Sequence, residues 1–208
     1  MTDAIDYIQS IDDLLDSFLE FDALGQRTEA KQAALAIVDA VSAFDAKVAW
    51  TRRNLDRLPL NRNGRIRHEI YQGIVFPVLK AEFDRGNAEA SYLLGKYWQN
   101  LIENRASYML MGEPSARCFF RLAFQFEPSS ERYQRAYLNA LVTGLQYTFH
   151  EWPTGILIDY SNLQDGLRQL KEEFDLVQSL DTGGKFAADL VEWIEATKQF
   201  EERLAKRQ

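Results

Sequence analysis

The chain has 208 residues, of which 46% are hydrophobic and 12% aromatic, enough apolar surface to offset the entropy of ordering and so to exclude a disordered protein. Its formal net charge of −7 argues against non-specific attraction to nucleic acid or anionic membranes, because phosphate contacts need clustered Lys and Arg. Cys118 is the only cysteine, which excludes an internal disulfide and a cysteine-built zinc site.

No stretch approaches the ~20 consecutive apolar residues of a membrane span. The opening MTDAIDYIQS lacks the basic region and apolar run of a signal peptide. The expectation is a cytoplasmic protein forming one all-α domain over 1–208, with a possible sub-boundary in the loop 55–65.

Helical periodicity recurs along the chain and strand alternation does not. Ile5, Ile8, Ile11, Leu15, Phe18 and Leu19 put one apolar face on a first helix of about residues 3–24, with Asp3 and Asp6 near its positive end. Gly25 marks a turn. Ala30, Ala34, Ile37, Val41, Phe44 and Val48 then alternate steps of four and three, which predicts one second helix lying along an antiparallel neighbour.

After Asn54 the pattern fails through LDRLPLNRNGR, where Pro59, Asn61, Asn63 and Gly64 supply turn chemistry. A third helix is expected from about Ile66 to Phe83. It contains Pro77, whose ring clashes with the carbonyl of Gly73, so a kink or a break is expected there. Gly86 closes this helix, and Asn87 caps the next, which carries Ala90, Leu93, Leu94, Tyr97 and Leu101 on one side with Gly95 beside them.

Pro114 and Ser115 start a helix through Phe126, Pro128 ends it, and Ser129 or Ser130 caps another that carries Tyr133, Tyr137, Leu141 and Leu145 as far as His150. Ser161 with Gln164 reads as a capping box ahead of the stripe Leu163, Leu167, Leu170, Phe174 and Val177. A DTGG turn leads to the last helix, with Phe186, Leu190, Trp193, Thr197, Phe200 and Leu204 at the same four-three spacing. The expected architecture is an array of antiparallel helical hairpins, seven to nine helices in all.

Two segments carry a family resemblance. AEASYLLGKYW, with Ala90, Leu94, Gly95 and Trp98 or Tyr97, and ARCFFRLAFQFEP, with Ala116, Phe119, Phe120 and Ala123, together resemble the two helices of a tetratricopeptide-type unit, closest to the Sel-one-like variety. The resemblance implies a scaffold that binds peptides or proteins on a concave face and has no chemistry of its own. Tyr92, Leu94, Tyr97, Trp98, Phe119 and Phe120 are expected to pack on their own chain.

Catalytic chemistry is sparse. His68 and His150 are the only histidines and neither belongs to an HExxH or His-x-x-x-His pair, so no metal site, cofactor or catalytic residue is assigned. FHEWP around His150 is the most enzyme-like local cluster, and a pocket there is the alternative reading. Cys118 reads as a small core side chain. No phosphate-binding glycine loop occurs.

The chain's charge is unevenly spread. Residues 1–50 hold ten acidic and three basic side chains, whereas 51–70 hold six arginines against Asp56 and Glu69. Arg52, Arg53, Arg57, Arg62, Arg65 and Arg67 are therefore the candidate partner-binding residues, suited to carboxylate or phosphate. The competing account is that they neutralise the acidic first helices within the chain. The resulting expectation is a non-catalytic protein-binding scaffold or adaptor, of which an immunity-type protein blocking a basic partner is one form; nucleic-acid binding through the arginine-rich loop 52–67 is a further alternative.

Overall fold

The computed structural model describes residues 2–154, 156 and 162–206, with side chains described from residue 11 onward. Among the described residues every regular element is helical. The chain forms two compact units, Met1–Phe119 and Phe120–Gln208. The loop 55–65 lies inside the first unit.

In the first unit, α1 (Thr2–Ala23) packs along α2 (Arg27–Ala40). Leu15 and Phe18 are fully buried and Ile11 and Leu19 half-buried, whereas the side chains of Ile5 and Ile8 lie outside the described residues. The link is a Schellman turn: Gly25, at φ 71°, donates its N–H to Asp22, and Gln26 donates to Phe21. That geometry satisfies two terminal carbonyls and reverses the chain.

The second predicted helix is in fact two. α2 stops at Ala40, Val41 turns away at φ −100° and ψ 49°, Ala43 is extended, and α3 (Phe44–Asn54) starts on a new axis. The inward positions of α3 are Trp50, Thr51 and Asn54, while Phe44 is exposed and Val48 half-buried. The four-three spacing continues across the break in the sequence, but the buried face does not.

α4 covers residues 68–84 and accommodates Pro77 with a π turn. His68–Ile70 is α-helical, Tyr71–Val75 is wound wide, and Phe76–Asp84 is α-helical again. The Phe76 N–H reaches back five residues to the Tyr71 carbonyl. Pro77 then sits in the first turn of the resumed helix, where its missing N–H costs no ladder bond, and the disturbance expected from its ring takes the form of the wide turn before it. Within the wide turn, Gly73 lies so close to α2 that a β-carbon there would stand 2.6 Å from Val38 Cγ1.

Gly86 ends α4 as expected, and the Asn87 side chain accepts from the Ala90 N–H to start α5 (Ala88–Lys96). Two short helices follow, α6 (Trp98–Glu103) and α7 (Arg105–Leu110), the second capped by the Asn104 side chain accepting from the Ser107 N–H. α7 was not expected from the sequence. Leu94, Tyr97 and Phe119 join the core, with Tyr92 and Trp98 packed on it, and the Trp98 indole donates to the Pro114 carbonyl at 2.9 Å. These aromatics dock on their own chain.

α8 (Ala116–Phe126) contains the division between the units. In the second unit α10 (Leu163–Leu180) packs on both α9 (Glu131–His150) and α11 (Ala187–Ala205). Its core joins Leu141, Leu145, Leu170, Phe174, Val177 and Trp193. Phe149 stacks on Trp152 at 4.5 Å and on Trp193 at 5.6 Å, contacts that add to simple burial.

The cap of α10 falls one residue later than expected: Ser161 lies outside the described residues, and Asn162 is the N-cap. Its Oδ1 accepts from the Asp165 N–H at 2.9 Å, and its Nδ2 donates to Asp165 Oδ2 at 2.6 Å. The Asn162 amide first, and the Arg168 guanidinium second, hold the Asp165 carboxyl below its ordinary range. A lowered folded-state value means that the ionised form supports the fold above the unfolded carboxyl range, and that this support fades as pH falls through the folded value. Asn162→Ala is expected to destabilise α10 by about 1 kcal/mol and to raise the Asp165 titration toward an ordinary carboxyl. Thermal unfolding and a pH titration followed by NMR measure the two effects.

Candidate functional site

The six arginines do not form one basic patch. α1 presents Asp12 and Asp16 four residues apart, and the end of α3 with its following 3₁₀ turn (Leu55–Arg57) presents Arg53 and Arg57 at the same spacing. The matched intervals make a two-rung ladder: Arg53 Nη2 to Asp12 Oδ2 at 2.6 Å, and Arg57 Nη2 to Asp16 Oδ1 at 2.7 Å. Arg57 also donates to Asn54 Oδ1, and Asn54 donates to the Trp50 carbonyl. Both rungs are solvent-exposed, so each contributes at most about 1 kcal/mol.

Arg65 pairs with Glu103. Arg67 donates Nε to Glu69 at 3.1 Å and Nη2 to the Arg27 carbonyl at 3.1 Å, and its Nη1 lies 3.8 Å from Asp22. The remaining two, Arg52 and Arg62, are exposed and have no carboxylate partner among the described residues. Four guanidiniums are thus committed within the chain and two are available.

The loop that carries Arg62, Arg65 and Arg67 is shaped by two asparagines. Asn61 Oδ1 accepts from the N–H groups of Asn63 and Arg65, an Asx-type turn that Gly64 completes at φ 70°. Asn100, fully buried on α6, clamps the backbone of Ile66: its Oδ1 accepts from the Ile66 N–H at 3.0 Å and its Nδ2 donates to the Ile66 carbonyl at 2.7 Å. Ile66 stands between Arg65 and Arg67, so Asn100 positions both. Nothing in the sequence pairs residue 100 with residue 66, and the only local signal was an amide on an otherwise apolar helix face.

An apolar cavity of about 220 Å³ opens beside the ladder, walled by Ile11, Val41, Ala46, Ala49 and Trp50, with the Arg53–Asp12 pair at its mouth. The Trp50 indole N–H is buried and has no acceptor. In the second unit a wider groove of mixed polarity lies along α9 and the 181–186 turn. There the Gln134 amide donates to the Leu180 carbonyl, Asp181 accepts from the N–H groups of Lys185 and Phe186, and the Lys185 ammonium sits 4.7 Å from the centre of the Phe186 ring.

The other residues singled out from the sequence are dispersed. His68 is exposed, and His150 is 79% exposed with Glu151 at 3.6 Å, so no enclosed pocket surrounds either imidazole. Cys118 is half-buried rather than part of a core, with Ser115 Oγ donating to its sulfur at 3.4 Å. Burial, with Tyr97 adding to it, pushes the Tyr71 phenol well above its ordinary range, and its hydroxyl has no partner; it is a neutral core group and not a nucleophile. Among the described residues no three His, Cys, Asp or Glu side chains are grouped to hold a metal ion, and no helix is long and apolar enough to cross a membrane.

No protein-family model matches this chain, and no curated protein and no solved structure matches it. The site's own geometry must therefore carry the functional reading.

Proposed function

We propose that this protein acts in the cytoplasm by binding another protein, as a scaffold or adaptor without catalytic activity, and that blocking the activity of that partner, as an immunity-type protein does, is the specific form this takes. The carrying observation is the division of labour among the arginines: four are neutralised in place, while Arg52 and Arg62 stay exposed and uncommitted, Arg52 on the same helix, α3, that lends Ala46, Ala49 and Trp50 to a small apolar cavity. An apolar recess and an uncommitted guanidinium on one helix provide an anchor and an orienting charge, the combination that protein interfaces use at their centres. The likeness of Ala88–Trp98 and Ala116–Pro128 to a tetratricopeptide-type hairpin supports the same reading, since such hairpins serve as binding scaffolds.

The same pairing weighs against the nucleic-acid alternative. Only two of the six cations are free to displace counterions, against a net charge of −7, and each phosphate contact contributes roughly one unit of logarithmic salt slope.

The test is affinity capture from the native cytosol, followed by kinetics on the recovered complex. Arg52→Ala with Arg62→Ala is expected to slow association several-fold at low salt while leaving unfolding unchanged. Arg53→Ala with Arg57→Ala is expected to do the reverse, lowering stability by about 1 kcal/mol in a salt-sensitive way. Tight, salt-steep binding of RNA by the unaltered protein would replace this reading with the nucleic-acid one.

A further inference from the structure

The cavity between α1 and α3 has a composition that specifies its occupant. Its volume of about 220 Å³ is below the roughly 300–1,000 Å³ of ordinary small-molecule sites, yet an apolar cavity of about 150 Å³ already takes up benzene. One aromatic ring with its methylene fits. The walls at Ile11, Val41, Ala46 and Ala49 offer carbon only.

The polar groups that line the cavity each have a partner within the chain. Asp12 and Arg53 hold each other, and Asn54 donates to the Trp50 carbonyl and accepts from Arg57. A charged occupant would gain little from walls of carbon and would lose its hydration; a neutral ring loses none.

Trp50 is different. It lines the cavity, it is only 5% exposed, and its indole N–H is sealed from solvent with no acceptor. A buried donor left unmade is costly, and an occupant that brings a carbonyl within reach of the indole relieves it. A ring delivered by a polypeptide brings such a carbonyl with it, from its own backbone.

The flank of the opening carries charge of both signs. Asp45 and Arg52 stand four residues before and three after Ala49, hence on the same side of α3, and both are exposed without an ion-pair partner among the described residues. We infer that this cavity is the socket for one aromatic side chain of the protein partner, in a segment with a basic residue on one side of the ring and an acidic residue on the other, and that Trp50 is the wall that reports its filling. The inference rests on the protein-binding reading above.

The test uses short probes and needs no partner. Acetyl-Lys-Phe-Glu-amide and acetyl-Glu-Phe-Lys-amide are titrated into the ¹⁵N-labelled full chain while the four indole N–H signals are followed; Trp50→Phe identifies the Trp50 signal by its loss. One of the two peptides is expected to shift the Trp50 signal saturably, leaving those of Trp98, Trp152 and Trp193 in place. Ala49→Leu fills the cavity from an exposed, helix-tolerant position and is expected to weaken that binding at least tenfold, with the other three indole signals unmoved as proof of folding.

Absence of any Trp50 shift up to tens of millimolar probe, or a shift indifferent to Ala49→Leu, overturns the socket. Toluene binding more tightly than both peptides also overturns it, and assigns the cavity to a free apolar molecule. Failure of the wider reading looks different: the probes fill the socket and capture from cytosol recovers no protein.

Discussion

Asn100→Ala is expected to cost the first unit about 3 kcal/mol, because it strands a buried backbone N–H and a buried carbonyl of Ile66 at once, each worth about 1–3 kcal/mol when left unmade. That is a large part of the roughly 5–15 kcal/mol that holds a typical domain together. Asn100→Asp separates the two halves of the clamp, since it preserves the acceptor for the Ile66 N–H and sets a carboxylate against the Ile66 carbonyl. It is expected to be at least as destabilising as the alanine variant at neutral pH and to recover partly when the carboxyl is protonated. Urea midpoints at two pH values measure this. An alanine variant as stable as the parent would mean that water replaces the amide without loss and that the clamp is dispensable.

Gly73→Ala is expected to destabilise despite the preference of helices for alanine. The propensity gain is about 1 kcal/mol. Against it, the new β-carbon would lie 2.6 Å from Val38 Cγ1, 2.9 Å from Cγ2 and 3.4 Å from Cβ, well inside the about 3.5–4.0 Å at which carbons attract. Valine is branched at Cβ and stiff, so no rotation removes both branches. Relief must come from separating α2 and α4, at about 1–3 kcal/mol or more for overpacking, and the net loss is expected near 2 kcal/mol. Val38→Ala is the partner variant: combined with Gly73→Ala it should be clearly more stable than the sum of the two single changes, the mark of direct contact. Strict additivity would place the clash elsewhere.

Periodicity made most of the fold legible. The stripes at Leu15 and Phe18, at Leu94 and Tyr97, and at Leu167 through Val177 are buried as read, because a helix must hide whichever face is apolar and that face repeats every three to four residues. The break at Val41–Ala43 was not legible, since no glycine or proline marks it and the apolar spacing runs straight through. Pro77 announced a disturbance without its form. A kink, a break and a wide turn all relieve the same ring clash, and choosing among them depends on tertiary packing that local sequence does not hold.

The arginine run shows the same limit from the electrostatic side. Composition revealed six cations opposite an acidic segment, and even suggested internal neutralisation. It could not apportion them, because the Asp12–Arg53 and Asp16–Arg57 rungs depend on α1 and α3 lying in register, and Arg67 on where the loop meets Asp22. The Trp50 cavity was invisible for a related reason: its walls come from α1, the end of α2 and α3, and no short window of sequence contains them all.

The Asn100 clamp also gives the arginine loop a built-in clock. An amide in a loop without a helical ladder ordinarily exchanges its proton with solvent quickly, but the Ile66 N–H is held by a side chain thirty-four residues away. Its exchange rate therefore reports how often the loop lifts from α6, independently of whether α3 or α4 frays. A partner that grips the loop beside Arg65 and Arg67 must slow that one proton, and a partner that engages only Arg52 must leave it unchanged, so a single deuterium-exchange signal distinguishes which half of the arginine run is in use.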